Sequence, residues 1–290
     1  MSPLAIGTSS WTFPDWPGVF YPQGLSKNEF LAFYATQFNS VEVNSSFYGL
    51  PRPSTILQWL DSVPEGFTFA LKAPRSITHE KRLVGCEQET LAFLDVLRSL
   101  GEAAGPGFLQ FPPNFTRQGE GRTLARFLDW LAPQLQGLRL AVEVRSPDLM
   151  TPAFAAFLAQ RGMALVLVDR VGTPDLAPLW TPLLEAGQAP DFVHVRLIGD
   201  DRNKPPNNRE LCRPQEDKLD IWAQRAAEWL ERKRQVAIYV HNPFEGHSPA
   251  TVRRLRQRIH QRFPLPEWSP KMPSARPKRD EPPPGQLSLF

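Results

Sequence analysis

Cysteine is scarce in this sequence, with two residues, Cys86 and Cys212, in a chain of 290. Neither belongs to a CxxC pair, which argues against a disulfide framework and against a cysteine-ligated zinc site. The scarcity favours a reducing cytoplasm as the compartment in which the protein works.

Long apolar runs are also missing. No stretch approaches the roughly 18 residues that a membrane-spanning helix needs. The first residues, MSPLAIGTSSW, lack the basic start and the apolar stretch of a signal peptide. We therefore expect no membrane span and no secretion signal, in keeping with a cytoplasmic protein.

Several motifs that mark common enzyme classes do not occur in the chain. There is no GxGxxG phosphate fingerprint, no P-loop, no GxSxG nucleophile elbow and no HExxH zinc pair. Four histidines can still join carboxylates around a divalent metal, although none belongs to a spaced pair: His79, His194, His241 and His247. The cofactor stays open at this point, with a divalent metal as one candidate.

The charge balance is mildly basic, with a formal net charge of +3 and a pI of about 9.0. Such a balance permits contact with nucleic acid without requiring it. Cations of the last helix and of the C-terminal tail are candidates for phosphate contact, and a solvated arginine-rich face is the alternative for the helix. These cations are Arg253, Arg254, Arg256, Arg258 and Arg262 on the helix, and Lys271, Arg276, Lys278 and Arg279 in the tail.

Short apolar runs alternate with amphipathic stretches along most of the chain. Helical patterns lie between most of the runs, as at residues 28–38, 89–100 and 153–162. This alternation predicts the α/β class, as a single (β/α)₈ domain of the TIM-barrel type over residues 1–263. A doubly wound open sheet is the alternative, but its phosphate fingerprint is missing. The strand candidates are 4–9, 40–47, 67–73, 107–113, 140–146, 164–170, 192–199 and 236–242.

A proline-rich segment over residues 264–285 follows the last helical pattern, 248–263. Eight of its residues are proline. It has too little apolar surface to offset the entropy of ordering, so we predict a disordered, extended linker. The chain then ends on QLSLF, residues 286–290. An apolar pentapeptide after prolines has no core to join, which suggests that it binds a pocket on another protein.

Polar residues interrupt strands that should be apolar on both faces if they belong to a parallel barrel. In SVEVNS, Glu42 and Asn44 alternate with valines, and in AVEVRS, Glu143 and Arg145 do the same. If the valines face the helices, the polar side chains point into the barrel near its C-terminal mouth, where barrel enzymes keep their active sites. A structural ion-pair network is the alternative. The same reasoning places four more residues there: Lys72, Asp169, His194 and Arg196.

This set of side chains suits two kinds of chemistry. The two glutamates and Asp169 can divide acid and base roles if their environments separate their pKa values, or they can bind a metal. The cations Lys72, Arg145 and Arg196 suit an anionic ligand such as a phosphate. Aromatic residues of nearby loops can stack on a sugar or a base, with loop packing as the alternative: Trp11, Trp16, Phe20, Tyr21, Phe47 and Tyr48.

Longer stretches of the sequence resemble the YecE-like family, known as domain of unknown function 72. The resemblance covers roughly residues 4–262 and is strongest in GTSSWTFPDWPGVFYP, FNSVEVNSSFYGLP, FTFALKAPRSITH, LQFPP and AVEVRS. It implies a TIM-barrel-like fold, in agreement with the strand count, and it supplies no reaction. The positions that match family motifs are Glu42, Asn44, Tyr48, Lys72, His79, Glu143, Arg145, Asp169 and Arg196.

The chain departs from the family pattern at two places. Ile198 stands where the family often has a histidine after the seventh strand, and His241 precedes Asn242 where the family often has paired asparagines. A mechanism that needs the missing histidine does not carry over unless His241 replaces it. The candidate catalytic residues are Glu42, Glu143, Asp169 and His79. The candidate ligand-binding residues are Asn44, Tyr48, Lys72, Arg145, Arg196, Asn242 and Trp11.

The terminal pentapeptide resembles the bacterial sliding-clamp-binding motif, Q-L-[S/D]-L-F. In such a peptide, Leu287, Leu289 and Phe290 fill apolar pockets while Gln286 hydrogen-bonds at the rim. The resemblance implies that the bacterial DNA polymerase sliding clamp is a partner and raises DNA as a further one. A tail that docks on its own barrel is the alternative.

Three functions remain open from the sequence. The first is a hydrolase that acts on nucleic acid, through phosphodiester or damaged-nucleotide chemistry, and is recruited to the clamp. The second is a carbohydrate or sugar-phosphate enzyme that uses the two glutamates. The third is a clamp-associated binding protein without catalysis.

Overall fold

The strands of this protein form where short apolar runs lie between turn signals. The computed structural model describes residues 2–272. Within that range the chain forms eight strands, and every neighbouring pair is parallel. The strands are β1 Leu4–Thr8, β2 Ser40–Val43, β3 Thr68–Lys72, β4 Ala104–Gln110, β5 Leu140–Glu143, β6 Ala164–Arg170, β7 Phe192–Gly199 and β8 Gln235–Val240.

The sheet closes into a barrel with helices around it. Strand order follows the chain from β2 to β8, and β1 pairs with β8, which brings β1 back beside β2. This arrangement confirms the predicted (β/α)₈ fold. The helices of the described residues are α1 Phe30–Gln37, α2 Pro53–Ser62, α3 Glu87–Ser99, α4 Arg117–Leu131, α5 Pro152–Ala159, α6 Ala177–Glu185, α7 Glu216–Glu231, α8 Asn242–Glu245 and α9 Ser248–Arg262.

Side chains close the seam between β1 and β2. The Asn39 side chain accepts from the Ile6 N–H at 2.9 Å and donates to the Leu4 carbonyl at 2.7 Å, as a backbone neighbour would. The Tyr34 hydroxyl accepts from the Thr8 N–H at 2.7 Å and donates to the Ser40 carbonyl at 3.1 Å. Because these groups are buried, two polar side chains take the place of most of the backbone ladder here. One backbone bond, from the Ser10 N–H to the Glu42 carbonyl at 2.7 Å, also crosses the seam.

We expect Tyr34→Phe to lower the free energy of unfolding by about 3 kcal/mol. The change leaves the buried Thr8 N–H and Ser40 carbonyl without partners, and each such group costs about 1–3 kcal/mol. Urea unfolding measures the loss, with Tyr48→Phe as the matched control because Tyr48 is 78% exposed. Equal stability of the two variants would contradict the role of the Tyr34 hydroxyl in the seam.

Acidic side chains of α7 take up the arginines of α9. Glu216 accepts from Arg254 and Arg258, while Asp220 pairs with Arg262 at 3.1 Å. The arginine-rich face therefore faces a neighbouring helix. Helix α9 is thus less available for the phosphate contact that the sequence suggested, because Arg254, Arg258 and Arg262 are already paired with carboxylates of α7.

The first residues of the predicted linker lie against the barrel, which differs from the prediction for residues 264–285. Leu265 is buried, and the Trp268 indole donates to the Ala35 carbonyl at 2.9 Å beside the turn at Gly66. Gly66 precedes β3, so the chain leaves from the N-terminal end of the barrel. Residues 273–285, which include the tail cations Arg276, Lys278 and Arg279, and the pentapeptide 286–290 lie outside the described residues.

No helix in the described part of the chain combines the length and the apolar character needed to cross a membrane.

Candidate functional site

Polar side chains from five strands meet at the C-terminal mouth of the barrel. The valines of β2 and β5 face the helices, so the residues between them face inward. Glu42 of β2 and Glu143 of β5 are fully buried, and Arg196 of β7 lies between them. Lys72 at the end of β3 and Gln110 at the end of β4 complete the floor of the mouth. The structure thus brings together the inward-facing residues that alternation predicted on these strands.

The Arg196 guanidinium holds both carboxylates. Its Nε and Nη2 donate to the two oxygens of Glu42 at 2.7 and 2.8 Å, and its Nη1 donates to Glu143. The guanidinium also lies over the Phe108 ring, 4.7 Å from the centroid. Bidentate contact with a carboxylate, as Arg196 makes with Glu42, is the strong geometry for arginine. The same guanidinium also donates to Glu143, so it stabilises two buried acids.

Both glutamates are ionised at neutral pH. Burial alone would raise the pKa of Glu143, but the charges of Arg196, Arg145 and Lys72 outweigh it and lower the pKa to about 2. For Glu42, burial is likewise outweighed, by Arg196 and then by His241, and its pKa is lowered well below its usual range. Because both pKa values move in the same direction, the two glutamates do not divide acid and base roles as the sequence suggested.

His241 adjoins this cluster from the residue after β8. Its Nε2 lies 3.0 Å from Arg196 Nη2 and 3.3 Å from a Glu42 oxygen. Burial and the charge of Arg196 lower the pKa of His241, against the pull of Glu42. The neutral ring therefore accepts from the guanidinium and completes the set of Arg196 partners.

Lys72 differs from the arginines at the mouth because no carboxylate in residues 2–272 lies within ion-pair distance of its ammonium. Its Nζ donates to the amide oxygen of Gln110 at 2.8 Å and lies 3.8 Å from the centroid of the Phe47 ring. Burial and the charge of Arg196 lower the pKa of Lys72 to about 8. Of the charged side chains of the floor, it is the one that exchanges its proton near neutral pH.

Arg145 links the floor to the rim of the mouth. Its Nε donates to Glu143 at 2.9 Å, and its Nη1 lies 3.7 Å from Asp201. Asp201 in turn accepts from Arg170 at 2.9 Å. In this series of ion pairs the charges of Asp201 and Arg170 cancel. The three remaining cations, Lys72, Arg145 and Arg196, therefore exceed the two glutamates by one positive charge.

The rim carries three of the other predicted site residues, Asn44, Tyr48 and Trp11. Asn44 donates to Glu42 at 3.0 Å and to the Ser9 hydroxyl, so it belongs to the cluster. The Tyr48 ring is largely exposed, and Trp11 packs edge-on against Trp59 of α2 at 5.6 Å. These two aromatics make no hydrogen bond to the cluster among the described contacts.

His79 lies on a single π-helical turn, Ser76–Glu80, after β3. Its ring meets the Phe47 ring edge-on at 4.9 Å, and its Nδ1 shares a hydrogen bond with the Thr78 hydroxyl at 2.8 Å. Burial and the nearby charge of Lys72 lower the pKa of His79 to about 4. The ring is therefore neutral at physiological pH, and Phe47 lies in contact with both His79 and Lys72.

Asp169 is not part of the cluster, which corrects the prediction that it points into the barrel. Val168 is in register with Arg196 and faces inward, so its neighbour Asp169 faces outward. There it accepts from the Lys218 ammonium at 2.7 Å and from the Trp222 indole at 2.9 Å, both on α7. These contacts fasten α7 to β6, beside an outer cavity of about 370 Å³.

Asn242 and His194 also serve the fold. The Asn242 side-chain oxygen accepts from the N–H and the hydroxyl of Ser248 at 3.0 and 2.7 Å, which holds the start of α9. The His194 ring is buried between Phe108 and Tyr239, with centroids 5.1 and 5.4 Å away, and burial lowers its pKa to about 4. Neither side chain reaches an open part of the mouth.

Within residues 2–272, no three His, Cys, Asp or Glu side chains converge as metal ligands. At the mouth, the carboxylates that were candidates for a metal face Arg196. Sequence reasoning missed the supporting residues Gln110 and Asp201, because LQFPP and IGDD show their role only once the barrel register is known.

A family model described as "Protein of unknown function DUF72" matches residues 5–276 of the chain. The chain is 27% identical over 277 residues to the UPF0759 protein YecE of Escherichia coli K12, covering 90% of this chain and 94% of that protein. It is 23% identical over 262 residues to the UPF0759 protein YunF of Bacillus subtilis, covering 84% and 90%. These matches confirm the resemblance noted in the sequence.

Two solved structures share the fold. A DUF72 family protein from Thermotoga maritima superposes with a TM-score of 0.69 at 23% identity, covering 89% of this chain and 99% of that one. A DUF72 family protein from Enterococcus faecalis superposes with a TM-score of 0.66 at 19% identity, covering 91% and 96%. At these identities the likeness concerns the fold.

Proposed function

We propose that this chain, which belongs to the DUF72 family, is a DNA-processing hydrolase that binds phosphate at its barrel mouth and is recruited to the bacterial sliding clamp. The substrate class would be a damaged nucleotide or a phosphodiester bond in DNA. The observation that carries the proposal is the excess of one positive charge at a mouth whose two carboxylates are already paired with Arg196 and Arg145.

Two cations are available to an incoming anion. Arg196 is buried between the two glutamates, whereas Lys72 has a neutral partner. Arg145 pairs with Glu143 through its Nε, but its side chain is partly exposed at the rim. A phosphate that approaches the mouth gains charge-assisted hydrogen bonds from these two groups. The exposed Tyr48 ring at the rim offers a face on which a base or sugar can stack.

The two glutamates would act on the substrate indirectly. With pKa values far below neutral they are poor proton donors at pH 7, and their role is to fix Arg196. Proton transfer falls to Lys72, whose pKa of about 8 suits it to exchange a proton near neutral pH. This division disfavours a glycosidase, which needs one carboxyl group with a raised pKa.

Recruitment rests on the QLSLF pentapeptide, residues 286–290. The described chain leaves from the N-terminal end of the barrel near Trp268, opposite the mouth. The 13 residues from 273 to 285 can span at most about 45 Å. A clamp bound at 286–290 would therefore lie near the barrel and leave its mouth free for DNA.

Binding and product assays on DNA duplexes test the proposal. The duplexes carry a single abasic, deaminated or oxidised nucleotide, and each assay is run with and without divalent metal. We expect damaged DNA to bind and yield a product, and Arg145→Met to weaken binding about tenfold or more, as the loss of one charged hydrogen bond predicts. The control is Arg225→Met, since Arg225 pairs with Asp175 on the outer face.

The assays separate the proposal from its rivals. Wild-type protein that binds no duplex and yields no product would contradict it. Turnover of free sugars or sugar phosphates with no response to DNA would favour the carbohydrate alternative. Clamp binding with no turnover on any substrate would favour a binding protein without catalysis.

A further inference from the structure

Lys72 has the surroundings of a reactive amine. Its ammonium is held by the neutral amide of Gln110 and by the face of Phe47, whereas Arg145 and Arg196 each pair with a carboxylate. A lysine in an ion pair is held in its charged form, and only the neutral form is a nucleophile. At this position neither an ion pair nor full exposure to water stabilises the charge.

The charged groups around Lys72 come from three other strands. Arg196 of β7 and Arg145, which follows β5, lower the pKa of Lys72, while Glu42 of β2 and Glu143 of β5 oppose them. With a pKa of about 8 in place of 10.5, the neutral fraction of Lys72 at pH 7 is roughly 300 times that of an ordinary lysine. Lysines made reactive in this way, beside other cations and away from water, form Schiff bases with carbonyl substrates.

We infer that Lys72 is a covalent nucleophile that forms an imine with the aldehyde of a sugar carrying a neighbouring phosphate, with Arg145 holding the phosphate. The phosphate contact rests on the proposed function. Two sources share this chemistry, an abasic site in DNA and a free sugar phosphate. The net positive charge of the mouth and the clamp-like pentapeptide favour the abasic site.

The covalent step balances without any oxidant or reductant. The lone pair of neutral Lys72 attacks the aldehyde carbon, so a C–N bond forms as the π bond of the carbonyl breaks. One proton then passes from the nitrogen to the oxygen, which becomes a hydroxyl. That hydroxyl then leaves as water after taking up a proton, while the nitrogen loses its remaining proton and the C=N bond forms. Addition of water reverses the sequence, so the free amine is regenerated.

Borohydride trapping tests this inference, because it reduces an imine to a stable secondary amine. Full-length protein is mixed with a duplex carrying one abasic site, or with 2-deoxyribose 5-phosphate, and then reduced. Peptide mass spectrometry locates the adduct. We expect the abasic duplex to be trapped at Lys72, and Lys72→Arg to lower the yield at least tenfold.

The matched control is Lys81→Arg, on the same loop after β3, because Lys81 is exposed and paired with Glu89. It should leave trapping unchanged. Unfolding curves show whether Lys72→Arg keeps the fold. Since the adduct is mapped on the wild-type protein, the test does not depend on that variant.

Binding of the same duplex by fluorescence anisotropy separates this inference from the proposed function. Abasic DNA that binds without an adduct, or an adduct on other lysines alone, overturns the inference and leaves the proposed function standing. Trapping of the sugar phosphate at Lys72 without DNA binding supports the inference and contradicts the DNA proposal. A duplex that is neither bound nor trapped would contradict both the inference and the proposed function.

Discussion

Replacing Arg196 with methionine should lower the free energy of unfolding by about 4 kcal/mol. The change leaves Glu42 and Glu143 buried without their shared partner, and removal of one side of a buried ion pair typically costs about 3–5 kcal/mol. Urea unfolding measures the loss. Arg232→Met is the control, because Arg232 pairs with Glu185 on the surface and should change stability by less than about 1 kcal/mol.

The pH dependence gives this prediction a sign. In the wild type, the low pKa of Glu143 contributes stability that is fully present above the unfolded value of 4.5 and is lost as pH falls towards about 2. Without Arg196 the burial of Glu143 is less well offset, so its pKa rises and the folded variant takes up protons more readily. The difference in the free energy of unfolding between the wild type and Arg196→Met should therefore be smaller at pH 5 than at pH 7.

A combined variant checks the cause. Adding Glu42→Gln and Glu143→Gln to Arg196→Met removes the buried charges and should restore much of the lost stability. If Arg196→Met were as stable as wild type, or if its deficit stayed constant with pH, the two glutamates would not depend on this guanidinium.

Deleting residues 286–290 should abolish binding to a purified bacterial sliding clamp. The proposal assigns the apolar contacts to Leu287, Leu289 and Phe290, so full-length protein should bind with micromolar affinity and the truncated protein at least 100-fold more weakly. Calorimetry or fluorescence polarisation measures both. The control is Arg145→Met at the barrel mouth, and we expect this variant to bind the clamp as the wild type does.

The clamp experiment has a clear contrary result. Equal binding by the full-length and truncated proteins would assign the contact to another surface. If neither protein bound the clamp, the proposed recruitment would be wrong. The function of the barrel mouth would then have to be sought in the ligands that it binds.

Much of the fold follows from local sequence. The strands β6 and β7 begin and end where the apolar runs 164–170 and 192–199 do, because these runs are rich in valine and leucine. β4 was predicted to begin at residue 107, three residues late. Its AGPG start is typical of a turn, yet a Cβ at Gly105 would lie 2.8 Å from the Phe69 carbonyl, so close strand packing requires the glycine.

Alternation predicted which residues of β2 and β5 face inward, because each strand has valines to mark its outer face. It failed for Asp169, since every neighbour of this residue in β6 is apolar or lies at the strand end. Only the register with β7 shows that Val168 faces inward. The roles of Tyr34 and Asn39 in joining β1 to β2 could not be predicted from the sequence either, because both residues lie outside the two strands.

The electrostatics of the mouth could not be predicted from residue types. The sequence grouped three acids with three bases, Asp169 among the acids. It did not show that Arg196 would hold Glu42 and Glu143 while Lys72 kept a neutral partner. That difference in pairing depends on which side chains meet across the barrel, between residues as far apart as 42 and 196. It separates the supporting role of the glutamates from the reactive role of Lys72.

Selective labelling of Lys72 tests most directly whether the mouth is the ligand site. The full-length protein is treated briefly with limiting acetic anhydride at pH 8, with and without damaged DNA, and each labelled lysine is quantified by mass spectrometry. We predict that Lys72 is acetylated faster than the exposed Lys81 and that damaged DNA protects Lys72 alone of the two. Labelling of Lys72 that is no faster than that of Lys81, or that DNA leaves unchanged, would contradict the assignment of the ligand site to the barrel mouth.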